Sequence, residues 1–150
     1  MIKLLWIDDD FDRDLVEKRM ALRMNDDMES HFANNATDAY FLLLENHFDV
    51  VIFDMLLPAG PDDLWDKYRV NGFEKYGYAL LHEISSNKFQ NQIFAHLEYA
   101  KFGIFTNDSD DMHPGLFADP IAIKRSNFKM KTNAYHENEF VAFIEQVFSS

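Results

Sequence analysis

The chain has no cysteine among its 150 residues, which excludes disulfides, thiolate zinc sites and thiol nucleophiles. Basic residues are scarce. Fourteen Lys and Arg face 26 Asp and Glu, a net charge of −12 that excludes a broad cationic face for nucleic acid or anionic lipid. No apolar run approaches the roughly 20 residues needed to span a bilayer. The opening Ile2-Lys3-Leu4-Leu5-Trp6-Ile7 is too short, and too soon followed by acid, to be a signal peptide. The six histidines (His31, His47, His82, His96, His113 and His136) show no HxH or HExxH spacing. Asp108, Asp110 and Asp111 lack the Gly and terminal Glu of an EF-hand loop, so they read as a solvated acidic turn. There is no internal repeat and no low-complexity linker. Hydrophobic residues make up 47%, with 15 Phe, enough for a substantial core. The expectation is one soluble, cytoplasmic domain over residues 1–150.

Strand-like and helix-like segments alternate along the chain, the pattern of a layered parallel α/β domain. The first strand is expected over Ile2 to Ile7. A helix from about Phe11 to Met24 follows, with Phe11, Leu15 and Leu22 on one side and Asp10 or Asp12 as cap. Asn25-Asp26-Asp27 ends it. Met28 to Ala33 reads as a second strand. Asn35 or Thr37 then starts a helix carrying Ala36, Ala39, Tyr40 and Leu43 at helical spacing. A third strand is expected over Asp49 to Phe53, in which Val50-Val51-Ile52-Phe53 is uniformly apolar, as a central strand covered on both faces should be.

Beyond Asp54 the chain turns irregular, through Pro58, Gly60 and Pro61 to Gly72. A third helix is expected from Gly77 to Ile84, and residues 85–99 carry no clear signal. Lys101 to Thr106 reads as the fourth strand. Two prolines and several acids then argue against a full helix over residues 107–120. Ile121-Ala122-Ile123 reads as a short fifth strand ending at Lys124. A last amphipathic helix is expected from Ala134 to Phe148, with Phe140, Ile144 and Val147 inward. The aromatic residues Trp65, Tyr68, Phe73 and Tyr76 either form a partner surface or pack onto the domain.

The chemistry sits at the strand ends. The first strand runs into Asp8-Asp9-Asp10, and Val50-Val51-Ile52-Phe53 runs into Asp54. If these strands are parallel neighbours, their acidic tips meet at the carboxyl edge of the sheet, where open α/β folds place ligands. Carboxylates crowded there repel one another unless a cation joins them, and such oxygens suit Mg²⁺. One of them is then placed to act as a nucleophile toward phosphorus.

In chain order the strand ends supply the Asp8–Asp9 pair, Asp54-Met55-Leu56-Leu57-Pro58, Thr106 and Lys124, with Gly77-Tyr78-Ala79-Leu80-Leu81-His82-Glu83-Ile84 opening the third helix. This arrangement resembles the receiver domain of two-component response regulators, over nearly the whole chain. The resemblance implies a flavodoxin-like, three-layer fold with a five-stranded parallel sheet in the order 2-1-3-4-5. It implies that Asp54 accepts a phosphoryl group from a histidine kinase or histidine phosphotransfer protein. Asp8, Asp9, Asp54 and the backbone carbonyl of Leu56 would hold Mg²⁺. Lys124 would pair with Asp54 and then with the phosphoryl group, and the hydroxyl of Thr106 would report it. No output domain is expected after it, so the expected signal is altered contact with a protein partner or hand-off of the phosphoryl group. Such a chain modifies itself rather than turning over a substrate. A homodimer is left open.

Five features depart from the family pattern. From Asp54 to Gly77 is 77 − 54 = 23 positions, an expanded loop between third strand and third helix. Lys124 is followed by Arg125 where the family has Pro, and Ile121 stands where an aromatic residue is expected three places before the lysine. Asn107 replaces the usual small residue after the threonine. The fourth-helix region is reduced. Two other readings stay open. One is a pseudo-receiver that binds partners without phosphorylation. The other is a haloacid dehalogenase-type phosphohydrolase, which Asp8-Asp9-Asp10 fits. No Asp follows Asp119, and Asp54 to Pro58 has no role in the latter.

Overall fold

The computed structural model describes residues 1–150 except 12, 70–74, 91–92 and 135, and the side chains of 88–90 also fall outside the description. Among the described residues five strands and four α-helices follow in the order β1 (Ile2–Ile7), α1 (Val16–Arg23), β2 (Met28–Ala33), α2 (Ala36–Glu45), β3 (Val50–Phe53), α3 (Tyr76–Gln90), β4 (Lys101–Thr106), β5 (Phe128–Met130) and α4 (Glu137–Phe148). Every pairing is parallel and the order is β2-β1-β3-β4-β5, the expected flavodoxin-like topology. Among the described residues no helix is long and apolar enough to cross a membrane.

Alternation along the strands divides the core in two. Leu5, Ile7, Val51 and Phe53 point to the face covered by α2 and α3, where Ala36, Ala39, Leu43, Leu80 and Ile84 pack. Leu4, Trp6, Val50 and Ile52 point to the other face, against Leu22 of α1 and Phe140, Ile144 and Val147 of α4. All four residues of β3 are fully buried, because β1 and β4 flank it and helices cover both its faces.

Helix α2 begins where the sequence indicates, since Asn35 Oδ1 accepts from the amide of Asp38 at 2.8 Å. Helix α1 begins later than expected. Residues before Val16 form turns in which the Asp10 carbonyl accepts from Arg13 and Leu15, and no side chain caps the helix. Asp10 is therefore not its cap, and Asp12 lies outside the described residues. Helix α3 takes up the first part of the stretch without signal, and a 3-10 turn at Ala95–Leu97 leads into β4. Between β4 and β5 the chain forms short 3-10 turns at Asp110–Met112, Pro114–Phe117 and Arg125–Asn127 in place of a helix.

The expanded segment after β3 packs onto the domain. It carries a 3-10 helix, Asp63–Tyr68, and anchors to the start of α2 through Ala36 N to Pro58 O and Thr37 N to Ala59 O, both 2.9 Å. Trp65 is fully buried, and its Nε1 donates to Thr37 Oγ1 at 3.0 Å. Tyr76 is buried and Tyr68 half-buried, so these rings belong to the core rather than to an open surface; Phe73 lies outside the described residues.

The fifth strand corrects the sequence reading. Ile121-Ala122-Ile123 is not a strand. Ala122 is left-handed at φ 52°, and the amides of Ala122 and Ile123 bond back to Ala118 and Leu116 in a turn. The strand is Phe128–Met130, in register with Ile104 to Thr106. Buried Ile121 and Ile123 mimic a strand by composition, whereas the true edge strand is only three residues with a lysine in its middle.

Candidate functional site

Register fixes what meets at the carboxyl edge. Ile7 pairs with Phe53, so the residues that follow, Asp8 and Asp54, lie side by side, and the Asp54 amide donates to the Ile7 carbonyl at 3.0 Å. Thr106 ends β4 one strand further, opposite Met130. The next residue after Met130 is Lys131. It, rather than Lys124, is the cation at this edge. Its Nζ lies 2.8 Å from Asp8 Oδ2 and 3.1 Å from Asp54 Oδ2.

Lys124 sits elsewhere. It is exposed and lines a shallow cleft with Ala100, Lys101 and Phe102 at the amino end of β4, away from the acidic edge. The displacement of the strand by seven residues (128 − 121 = 7) carries the lysine with it. A signal for Lys131 was present in the sequence: Phe128 stands three places before it, the aromatic spacing that Lys124 lacks. Thr132, not Pro, follows Lys131.

Asp54 is almost fully buried, and both its oxygens are engaged. Oδ1 accepts from Thr106 Oγ1 at 2.7 Å and from the Leu56 amide at 3.2 Å, while Oδ2 faces Lys131. Asp8 is fully buried, and its Oδ1 accepts from the Asp10 amide at 3.1 Å. Asp9 is exposed at the rim. One carboxylate oxygen from each of Asp8, Asp9 and Asp54 falls within 4.8 Å of the others. Asp10 instead pairs with Arg13 at 2.9 Å. Asp9, Asp10, Arg13, Asp54, Leu56, Lys75, Asn107 and Lys131 together line an open cleft of about 300 Å³.

The electrostatics show a cluster short of positive charge. Burial and the neighbouring Asp54 push the Asp8 carboxyl up to about 7, against the opposing pull of Lys131. Burial and Asp54 also raise Asp9. Burial works against the charge on Lys131, but Asp8 and Asp54 outweigh it and hold its ammonium above the ordinary lysine value. One lysine thus leaves three carboxylates incompletely neutralised. Clustered hard oxygens with a net negative charge fit a cation such as Mg²⁺.

The loop that closes this site depends on Gly77. A Cβ there would lie 1.7 Å from the Asp54 carbonyl oxygen, so only glycine lets α3 start against the end of β3. The amides of Tyr76 and Gly77 bond to the carbonyls of Leu57 and Met55, which brings Lys75 to the cleft rim.

This fold has close counterparts among solved structures. The receiver domain of a Francisella response regulator matches with a TM-score of 0.64 at 16% identity, over 99% of this chain and 98% of its own. A CheY-like response regulator receiver domain protein from Methanospirillum hungatei matches with a TM-score of 0.66 at 17% identity, over 99% and 94%. A Burkholderia pseudomallei response regulator, solved with a phosphorylated aspartic acid, a calcium ion and citrate, matches at 0.61 and 16% identity, over 99% of this chain and 69% of that one. At such identities the likeness is one of fold: the chain has the fold of CheY-like response regulator receiver domains. No protein-family model and no curated protein matches its sequence.

Proposed function

We propose that this chain is a receiver-type phosphoacceptor in which Asp54 takes a phosphoryl group from a phosphohistidine on a histidine kinase or histidine phosphotransfer protein. The observation that carries this reading is the engagement of one buried carboxylate by a hydroxyl, an amide and an ammonium at once. Those contacts fix the Asp54 carboxylate at the mouth of an open cleft, as an in-line attack on phosphorus requires. A carboxylate oxygen of Asp54 forms the new P–O bond, and the P–N bond to the donor imidazole breaks, its electron pair leaving with the imidazole. Lys131 would then exchange its contact with Asp54 Oδ2 for a phosphoryl oxygen, and Thr106 Oγ1 would turn from Oδ1 to the new group. Asp8, Asp9, Asp54 and the Leu56 carbonyl would hold Mg²⁺. When bound, Mg²⁺ would neutralise charge on the transferring phosphoryl oxygens.

The added charge of about −1.5 to −2 would bias the Thr106 end of β4, so that output is a changed contact surface. Burial of Trp65 removes that ring from the surface a constitutive pseudo-receiver would use. No fourth carboxylate joins the cluster among the described residues, which leaves a haloacid dehalogenase-type site incomplete. Incubation with Mg²⁺ and acetyl phosphate tests the proposal: a single labile phosphoryl adduct should form, trapped by borohydride at Asp54 and lost in Asp54→Asn. An absent adduct, or one that survives Asp54→Asn, contradicts it.

A further inference from the structure

Among the described residues no α-helix stands between β4 and β5, so side-chain contacts must hold the stretch that leaves Thr106. Asn107 is exposed, whereas Asp108 turns inward and is buried. Its Oδ2 lies 2.7 Å from Nε2 of His113, which is buried as well. A carboxylate only accepts, so Nε2 carries the proton and donates. Burying two such groups is costly unless each meets its partner. Neither lines the cleft at Asp54, and the phosphoryl chemistry gives the pair no task.

His113 is the joint between two 3-10 turns, Asp110–Met112 and Pro114–Phe117. Its ring lies nearly parallel to that of Tyr78 on α3, at 20° and 6.4 Å between centroids. Two residues on, Gly115 sits so close to α3 that a Cβ would come 2.4 Å from the Tyr78 hydroxyl oxygen. Leu116 is fully buried in the core on the α2 and α3 side of the sheet. The far end of this segment is thus fixed to the domain. The Asp108–His113 bond ties the near end to it.

That near end touches the site. The Asp108 amide donates to Thr106 Oγ1 at 3.5 Å, and the same hydroxyl donates to Asp54 Oδ1 at 2.7 Å. When Thr106 turns its hydroxyl from Oδ1 toward a phosphoryl oxygen, the buried Asp108 amide loses its acceptor. A mobile chain would relieve that cost by moving the amide to another partner. A chain pinned through His113 does not. On the reading of Asp54 as phosphoacceptor, on which this inference rests, we propose that the Asp108–His113 pair is a strap that holds Thr106 toward Asp54 and opposes its turn toward a phosphoryl group. By linkage, a group bound at Asp54 loosens the strap by the same factor as the strap weakens that group. Met112, exposed in the turn just before His113, lies on the surface that the loosened strap would release.

Amide hydrogen exchange and beryllofluoride binding, both followed by NMR on the full chain, test it. His113→Phe keeps a ring beside Tyr78 but has no donor, whereas His113→Gln keeps a side-chain N–H without the ring. In the metal-free chain the Asp108 amide should exchange about tenfold faster in His113→Phe, and within about twofold of wild type in His113→Gln. With Mg²⁺ present, His113→Phe should bind beryllofluoride about fivefold tighter than wild type, with His113→Gln between the two. Should His113→Phe fail to fold, Asp108→Asn, which removes the charge at nearly unchanged volume, should move both readouts in the same direction. The strap is overturned by unchanged exchange at Asp108 in a folded variant, or by weaker beryllofluoride binding in His113→Phe. A larger effect of Gln than of Phe, the result of ring packing alone, overturns it too. No beryllofluoride uptake by wild type contradicts the reading of Asp54 and removes the opposing role with it. Exchange at Asp108 then decides separately whether the pair holds the chain at Thr106.

Discussion

The ammonium of Lys131 lies 3.1 Å from Asp54 Oδ2, joining residues 77 positions apart across the carboxyl edge of the sheet. The same nitrogen reaches Asp8 Oδ2 at 2.8 Å, so one side chain serves two buried acids. Removing it strands both charges. Lys131→Met should cost about 3 kcal/mol in urea unfolding. Lys124→Ala, at an exposed turn, should stay within about 0.5 kcal/mol of wild type. Equal effects of the two substitutions would remove Lys131 from this role.

Asp8 gives the fold a pH dependence of defined sign. Its carboxyl titrates near 7 in the folded chain and near its ordinary value of 3.8 when unfolded, so the folded state binds more protons across that interval. Stability contributed by this group is present below pH about 4 and falls as pH rises toward about 7. On the proposed function Mg²⁺ would bind the ionised form, so stabilisation by Mg²⁺ should grow over the same interval. Asp8→Asn should flatten both dependences and raise the metal-free Tm at pH 7.5. Thermal unfolding with and without Mg²⁺ checks this, and an unchanged pH slope in Asp8→Asn contradicts it.

Gly77→Ala should distort the site from behind. The added methyl meets the Asp54 carbonyl oxygen, a backbone atom that moves only with the end of β3. A loss of about 2 kcal/mol or more is expected, with displaced amide resonances at Asp54 and Met55. A variant as stable as wild type would show that α3 can start elsewhere.

The expanded segment hangs on Trp65. Thr37→Val removes the acceptor of its fully buried Nε1 and the hydroxyl donated to Ala59. A loss of about 1 to 3 kcal/mol in urea unfolding is expected, the cost of leaving a buried donor unpaired. A neutral outcome would mean that the segment does not depend on this anchor.

Much of this architecture is legible in the sequence. Runs such as Val50 to Phe53 announce a doubly covered central strand, and the acids that follow two adjacent strands must meet once the pairing is parallel. Asn35 marks the start of α2 through its side-chain oxygen. The fifth strand was hidden because edge strands need few apolar residues. Phe128-Lys129-Met130 bears a charge in its centre, while Ile121 and Ile123 are buried by a turn. Placing the strand at Ile121–Ile123 points to Lys124, whereas the true strand delivers Lys131. The Trp65 anchor was illegible too, since its partner Thr37 lies 28 residues away and carries no periodic signal.

Phosphorylation by acetyl phosphate in Mg²⁺, followed by intact mass, tests the central claim most directly when wild type, Asp54→Asn, Lys124→Ala and Lys131→Ala are run together. The account predicts one phosphoryl adduct on wild type and on Lys124→Ala, none on Asp54→Asn, and an adduct on Lys131→Ala that forms or decays at an altered rate. An unmodified wild type, or a defect that follows Lys124 instead of Lys131, would contradict it.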